Sequence, residues 1–192
     1  MRLFIAAEID NKNKKLIHHV QEKYKGSSLG GNFTRMENYH ITLRFLGEVK
    51  DELIPKIRFS MENMAKDSSP FIFSAGCPGY FSRRDGLILW LGIDKGAEKL
   101  WEISSLLDDE LFKAGFPKAG SLKEGFSKEK DIFTPHITLG RKVRLRKDFR
   151  EVTDHITIPQ ITVNTKEITL MSSIREKGKL CYRPLFSVKL FC

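Results

Sequence analysis

Two short stretches of this chain carry groups that can move protons. "NYHITLRFLG" places an imidazole at His40 and a hydroxyl at Thr42, and "TPHITLGR" does the same with His136 and Thr138, 96 positions later. Histidine titrates near neutral pH, so it can take or give a proton in the working range. A threonine hydroxyl can donate a hydrogen bond to an oxyanion. On a strand, successive side chains alternate between faces. Each motif therefore offers its His and Thr to one face and its Ile and Leu to the other: His40 and Thr42 against Ile41 and Leu43, His136 and Thr138 against Ile137 and Leu139. Two such strands facing each other would surround a phosphate with two hydroxyl donors and an imidazole on either side. A neutral ring can then act as base and a protonated one as acid, with no metal needed.

The same triplet occurs a third time, in "DHITIP" at His155. With five histidines and nine threonines in 192 residues, chance placement gives about 0.2 His-x-Thr pairs. One coincidence is easy to accept and three are not. The third copy runs into Pro159, which cannot donate to a sheet ladder, and lies only 19 residues after His136. A single strand histidine is ordinarily structural, but two in matching contexts are not. His40 and His136 are therefore expected to be the working pair, and His155 an echo.

Two arginines are candidate substrate contacts. Arg44 shares the His40 face by alternation, although four residues place it about 13 Å along the strand. Arg141 falls on the face opposite His136 by the same count, unless the strand bulges at Gly140. Tyr80, Phe81 and Trp90 are aromatic enough to stack a base, although strand aromatics more often fill cores. His18 and His19 sit mid-helix among lysines and read as surface or rim residues. No His-x-x-x-His or acidic cluster has metal-ligand spacing, so neither metal nor cofactor is expected.

The elements that must position these groups are legible as hydrophobic patterns. Strands are expected at 2–9, 38–47, 70–76, 85–93, 133–142, 160–173 and 180–191. A helix behind an Asp/Asn cap places Leu16, Ile17, Val20 and Tyr24 on one face and stops at Gly26. Further helices are expected over 50–67, with an early Pro55, and over 97–115, stopped by Gly115. A Lys/Gly/Ser-rich loop spans about 117–131; its Lys118, Lys123, Lys128 and Lys130 read as a solvated surface. The order implies an α+β fold, with a rough repeat of strand, helix and His-Ile-Thr strand in each half.

Composition sets the limits. A 41% hydrophobic and 30% charged chain of 192 residues is globular, one domain or two small lobes sharing a core. A net charge of +9 favours a polyanionic partner without requiring one. Three widely spaced cysteines, Cys77, Cys181 and Cys192, form neither a disulfide framework nor a zinc cluster, which suits a reducing cytoplasm. The opening "MRLFIAAEID" does not read as a signal peptide, and no run approaches a membrane span.

At the paired motifs the sequence resembles the two-histidine phosphoesterase superfamily, and within it the LigT-like RNA 2′,3′-cyclic phosphodiesterases, long called 2′-5′ RNA ligases. The resemblance runs almost end to end. "MRLFIAAEI" resembles that family's opening strand, "GYFSRRDGLILWLGI" its Gly-x-Phe … Leu-Trp-Leu-Gly stretch, and "ITLMSSIREKGKLCYRPL" its late Leu-x-x-Ser … Gly … Tyr stretch. It implies a bilobal, pseudo-twofold α+β fold over residues 1–192. Each lobe would have an antiparallel sheet flanked by helices and one His-x-Thr motif facing a central cleft. It also implies hydrolysis of a 2′,3′-cyclic phosphate at an RNA end to a 2′-phosphomonoester. His40 then matches the proton donor, His136 the base, and Thr42 and Thr138 the phosphate-holding hydroxyls. The partner implied is RNA with a cyclic phosphate end, acted on by a monomer with no membrane and no obligatory protein partner. Joining or cleaving 2′-5′ RNA linkages, or opening a small cyclic nucleotide, would use the same site. A basic RNA-binding module with incidental catalysis is the alternative of a different class.

Overall fold

A computed structural model describes residues 1–119 and 133–191. Most of the lysine-rich loop, with Lys123, Lys128 and Lys130, and Cys192 lie outside the described residues. In chain order the elements are β1 (Arg2–Glu8), α1 (Asn11–Gly26), β2 (Ser28–Phe33), β3 (His40–Glu48), α2 (Ile54–Lys66), β4 (Phe71–Arg83), β5 (Gly86–Lys95), α3 (Ala97–Lys113), β6 (His136–Leu145), α4 (Phe149–Asp154), β7 (Ile161–Thr165), β8 (Glu167–Glu176) and β9 (Lys179–Lys189). The fold is α+β, an antiparallel sheet with helices packed on one face.

The strand order is β7-β4-β5-β6-β3-β1-β8-β9, with β2 added alongside β6. Only one residue, Lys166, separates β7 from β8, yet the two stand near opposite ends of that order. The sheet must therefore curl into a half-barrel. Its middle is unusual. β5 and β6 pair along their lengths, as do β1 and β3, but β6 and β3 share a single antiparallel position, Ile41 opposite Ile137. Two half-sheets thus meet at one residue pair.

That pair is held from beneath. Ile41 and Ile137 are fully buried and belong to one core that runs under both halves. The helices seal the core with their apolar stripes. α1 contributes Ile17, Val20 and Tyr24, α2 contributes Ile57, Met61 and Met64, and α3 contributes Leu100, Ile103, Leu107 and Leu111. Asp10 caps α1 by accepting from the Asn13 amide, as the Asp/Asn start suggested. Pro55 falls in the first turn of α2, where its missing N–H costs nothing.

Each histidine strand breaks register twice, and the break nearer the histidine falls at equivalent places in the two. Ala6 pairs with Thr42 and Ile5 with Arg44, so Leu43 has no partner of its own on β1. Trp90 pairs with Thr138 and Leu89 with Gly140, so Leu139 is likewise left over on β5. A bulge leaves its extra carbonyl to be satisfied elsewhere. Here both are met from helices. Ser104 of α3 donates to the Leu43 carbonyl (2.8 Å), and the buried Gln21 of α1 donates to the Leu139 carbonyl (2.7 Å).

Several elements differ from the pattern-based expectation. β4 continues to Arg83 through Pro78, because the pairing with β5 slips at Gly76 and Cys77 and resumes with Pro78 opposite Leu91. The run at 160–173 is two strands broken at Lys166. β2 and α4 carry no strong pattern of their own: "SLGGNF" is glycine-rich and pairs with β6, and α4 is six residues long. "DHITIP" is not a strand. His155 caps the C-terminus of α4 and is exposed, and the following residues have no regular structure.

The junction predicts an asymmetric response to truncation. Ile137→Ala should lower unfolding free energy by about 2–5 kcal/mol, the range for emptying a buried aliphatic site. His155→Ala should change it by about 0.5 kcal/mol or less, as for other exposed positions. Urea unfolding followed by circular dichroism checks both.

Candidate active site

The Ile41–Ile137 pair orders everything above it. In an antiparallel pair the flanking positions run in opposite directions, so Thr42 lies toward His136 and Thr138 toward His40. All four side chains point away from the helices, because Ile41, Leu43, Ile137 and Leu139 take the buried face. His40 and His136 are then diagonal neighbours, a relation that in a regular ladder puts Cα atoms about 7–8 Å apart. That gap suits a small group held between two rings.

Both imidazoles are oriented the same way. His40 Nδ1–H donates to the Asn38 carbonyl and His136 Nδ1–H to the Thr134 carbonyl, each at 2.7 Å. A carbonyl can only accept, so in the neutral rings the proton sits on Nδ1 and Nε2 is bare. The Thr42 hydroxyl donates to His40 Nε2 at 2.9 Å. Aromatic rings wall each imidazole. Phe4 lies 4.9 Å from His40, and Tyr182 stands edge-on to it at 5.1 Å. Phe81 meets His136 edge-on at 5.4 Å, and Trp90 is tilted against it at 6.0 Å. Trp90 lies across Gly79, where even a Cβ would come within 2.2 Å of the indole. That close approach is why the stretch needs glycine at this position.

These surroundings make both rings poor at holding a proton in the free protein. Burial is the largest cause. It pushes His40 down to about 4, partly opposed by the Asn38 carbonyl and reinforced by His136, Lys14 and Arg141. Burial also lowers His136, opposed by the Thr134 carbonyl and reinforced by Arg141. An anion between the rings would reverse the positive contribution and favour the imidazolium form.

The bulges decide the two arginines, and one expectation is corrected. Arg44 does not share the His40 face. The extra residue at Leu43 turns it inward, where its guanidinium is buried, pairs with Asp108 at 2.9 Å and donates to the Pro117 and Phe45 carbonyls. It is an anchor between β3 and α3. The bulge at Leu139 turns Arg141 onto the His136 face, exposed, where its charge reaches both histidines. Phe45, the position equivalent to Arg141 in the other half, is turned out in the same way and is 51% exposed.

Other candidates are sorted by position. Phe81 and Trp90 line the site, whereas Tyr80 packs on Phe149 at 4.7 Å. His18 and His19 remain on α1, half-buried and exposed respectively. Lys118 pairs with Asp109. Cys77 and Cys181 are free thiols. Phe4, Asn38 and Tyr182 border His40 without having been singled out from the sequence. Asn38 had a signal there: it precedes His40 by two residues, as Thr134 precedes His136. Tyr182 stood in the late Gly … Tyr stretch of the resemblance, but nothing local tied it to His40, 142 residues away.

The geometry agrees with the comparisons to known proteins. A family model for LigT-like phosphoesterases matches residues 8–90. The RNA 2′,3′-cyclic phosphodiesterase of Thermotoga maritima is 29% identical over 97% of this chain and 94% of its own. The protein of the same name from Aeropyrum pernix is 31% identical over 80% of this chain and 82% of its own. In three dimensions, Escherichia coli LigT in complex with 3′-AMP superposes with a TM-score of 0.73 at 24% identity, over 98% of this chain and 97% of that one, a likeness of fold. Near-complete alignment with these phosphodiesterases, joined to the matched model and fold, means that this chain belongs to the LigT-like phosphoesterase family.

Proposed function

We propose that this protein hydrolyses the 2′,3′-cyclic phosphate at the end of an RNA to a 2′-phosphomonoester, by paired histidine catalysis without a metal. The observation that carries this reading is the pair of Nδ1-pinned imidazoles on adjoining strands, with the Thr42 hydroxyl on His40 Nε2. The names of the relatives supply the substrate class. The net charge of +9 favours a polyanion. The two half-sheets would act as the lobes of one cleft, one motif each.

The phosphate would lie between the rings. His136 Nε2, neutral and bare, takes a proton from water as the water oxygen bonds to phosphorus. The bond from phosphorus to the 3′ oxygen breaks on the opposite side, and His40 Nε2–H gives that oxygen its proton. The product carries a 3′ hydroxyl and a 2′ phosphate. Thr42 and Thr138 hydroxyls donate to the phosphoryl oxygens, and Arg141 offsets the charge that gathers there. His40 is neutral in the free protein, so the incoming anion must itself raise its proton affinity. Substrate thereby helps prepare the acid. A 2′,3′-cyclic phosphate requires a 2′ oxygen, which selects RNA over DNA. Joining of RNA ends would be the reverse chemistry at the same groups. Among the described residues no helix is long and apolar enough to cross a membrane.

The following outcomes are expected. On an oligoribonucleotide ending in a 2′,3′-cyclic phosphate, His40→Ala and His136→Ala should each lose about 10²–10⁴-fold in turnover. His155→Ala should stay near wild type, and a chelator should change none of these rates. Retained turnover in both of the first two variants would defeat the proposal. In a pH titration of the ring signals by NMR, free His40 should have its midpoint near about 4, and saturating inorganic phosphate should move that midpoint upward. The sign also fixes stability. An unfolded histidine binds its proton near pH 6.5, so the His40 contribution is complete above that pH and is lost as pH falls toward about 4. Arg141→Gln should lower kcat/KM by about 10- to 100-fold, the scale of one charge-assisted hydrogen bond, with an unchanged melting temperature. Arg44→Gln should lower the melting temperature instead, because it removes the buried guanidinium that bridges the half-buried Asp108 carboxylate and the Pro117 carbonyl.

A further inference from the structure

We infer that Asn38 is the positioning residue that sets the His40 tautomer and the ring beside it, an inference that rests on His40 being the acid proposed above. Asn38 is 7% exposed and ends a short 3-10 turn, Met36–Asn38, just ahead of β3. Both ends of its side-chain amide bond to backbone groups of a distant strand. Nδ2–H donates to the Leu180 carbonyl at 2.9 Å, and Oδ1 accepts from the Tyr182 N–H at 3.3 Å. These two groups flank Cys181 on β9, the last strand of the order, whose outer edge has no neighbouring strand among the described residues. The amide therefore pairs with that edge as the peptide group of one more strand would, covering donors and acceptors that an edge otherwise leaves open.

The same residue's main-chain carbonyl accepts from His40 Nδ1–H at 2.7 Å. Tyr182, tethered through its own N–H, stands edge-on to the His40 ring, and Phe4 packs against both rings at 4.9 Å. One asparagine thus fixes two things at once: the acceptor that keeps the proton on Nδ1, and the wall that stops the ring from turning. This matters chemically because the proton His40 delivers must first be taken up at Nε2, so the neutral ring must present Nε2 bare. Without the splint, the carbonyl and Tyr182 are free to shift relative to one another, and the ring can swap to the form protonated on Nε2. A displacement of about 1 Å in a reacting group is enough to cost about 100-fold.

The test combines kinetics with ring-nitrogen NMR on the full chain, using Asn38→Ala and the milder Asn38→Ser. Expected in Asn38→Ala are a fall in kcat of about 10- to 100-fold on the cyclic-phosphate oligoribonucleotide, a KM within about threefold of wild type, and a new population of His40 protonated on Nε2. The His136 ring, held by Thr134, should keep its proton on Nδ1 and serves as the internal reference. Asn38→Ser should fall between Asn38→Ala and wild type, and it decides the matter if Asn38→Ala does not fold. An unchanged His40 tautomer in the folded variant overturns the inference, whether or not kcat falls, because a merely structural residue would move the melting temperature and not the ring proton. If wild type turns over no cyclic phosphate, the proposed reaction fails, and the NMR readout still decides the role of Asn38.

Discussion

One hydrophobic contact organises this protein: the side-by-side placement of Ile41 and Ile137. Two half-sheets meet there and nowhere else along β3 and β6. The pair must be apolar and fully buried, because a shared core passes beneath it. It must also be antiparallel, because that arrangement turns two copies of the same triplet into a two-fold related set of polar groups on the opposite face. Burial of the isoleucines in the core and placement of the histidines on the opposite face are therefore one constraint seen from two sides. Moving either strand by a single residue would bury an imidazole and expose an isoleucine.

The electrostatics follow from the same placement. A motif that sits at a sheet junction, walled by Phe4, Tyr182, Phe81 and Trp90, is poorly solvated. The cations near it, Arg141 and Lys14, add to the cost of a charged imidazole. The free site is thus an uncharged pair of bases in a positive setting, a state that an anion relieves. Buried carbonyls at the bulges receive the opposite treatment. Ser104 donates to one, and Gln21 with the Thr34 N–H to the other, which holds two irregular strands at the point where they must aim side chains accurately.

How much of this could be read from the sequence depends on how far each feature reaches. His40, Thr42, His136 and Thr138 were legible because a strand's alternation is local, and so were the stripes of α1, α2 and α3. Arg44 and Arg141 were not settled by counting, because a bulge depends on how the partner strand pairs; nothing in "HITLR" or "HITLGR" reports the left-over Leu43 or Leu139. The glycine before Arg141 raised the question in one motif, and its counterpart, Arg44 itself, concealed it in the other. β2 was missed because its glycines hide a strand that exists only through β6. Pro78 masked the length of β4 for a similar reason. His155 shows the limit of motif reading: its three letters match, but they cap a helix. Asn38 and Tyr182 meet through hydrogen bonds spanning more than 140 residues, which no local pattern encodes.

The paired bulges have a further consequence. Around the junction the two motifs pair antiparallel, and each histidine gives its Nδ1–H to the carbonyl two residues back. For the proposed reaction, a five-membered cyclic phosphate is also close to symmetric about its phosphorus. Such a site and such a ligand fit together in two orientations, and each would break a different ester bond. Regiochemistry must then come from whatever spoils the symmetry. The bulges present that difference at matched places: an aromatic ring, Phe45, on one side and a guanidinium, Arg141, on the other. In the proposed reaction, the mismatched pair would be what gives the chemistry a direction.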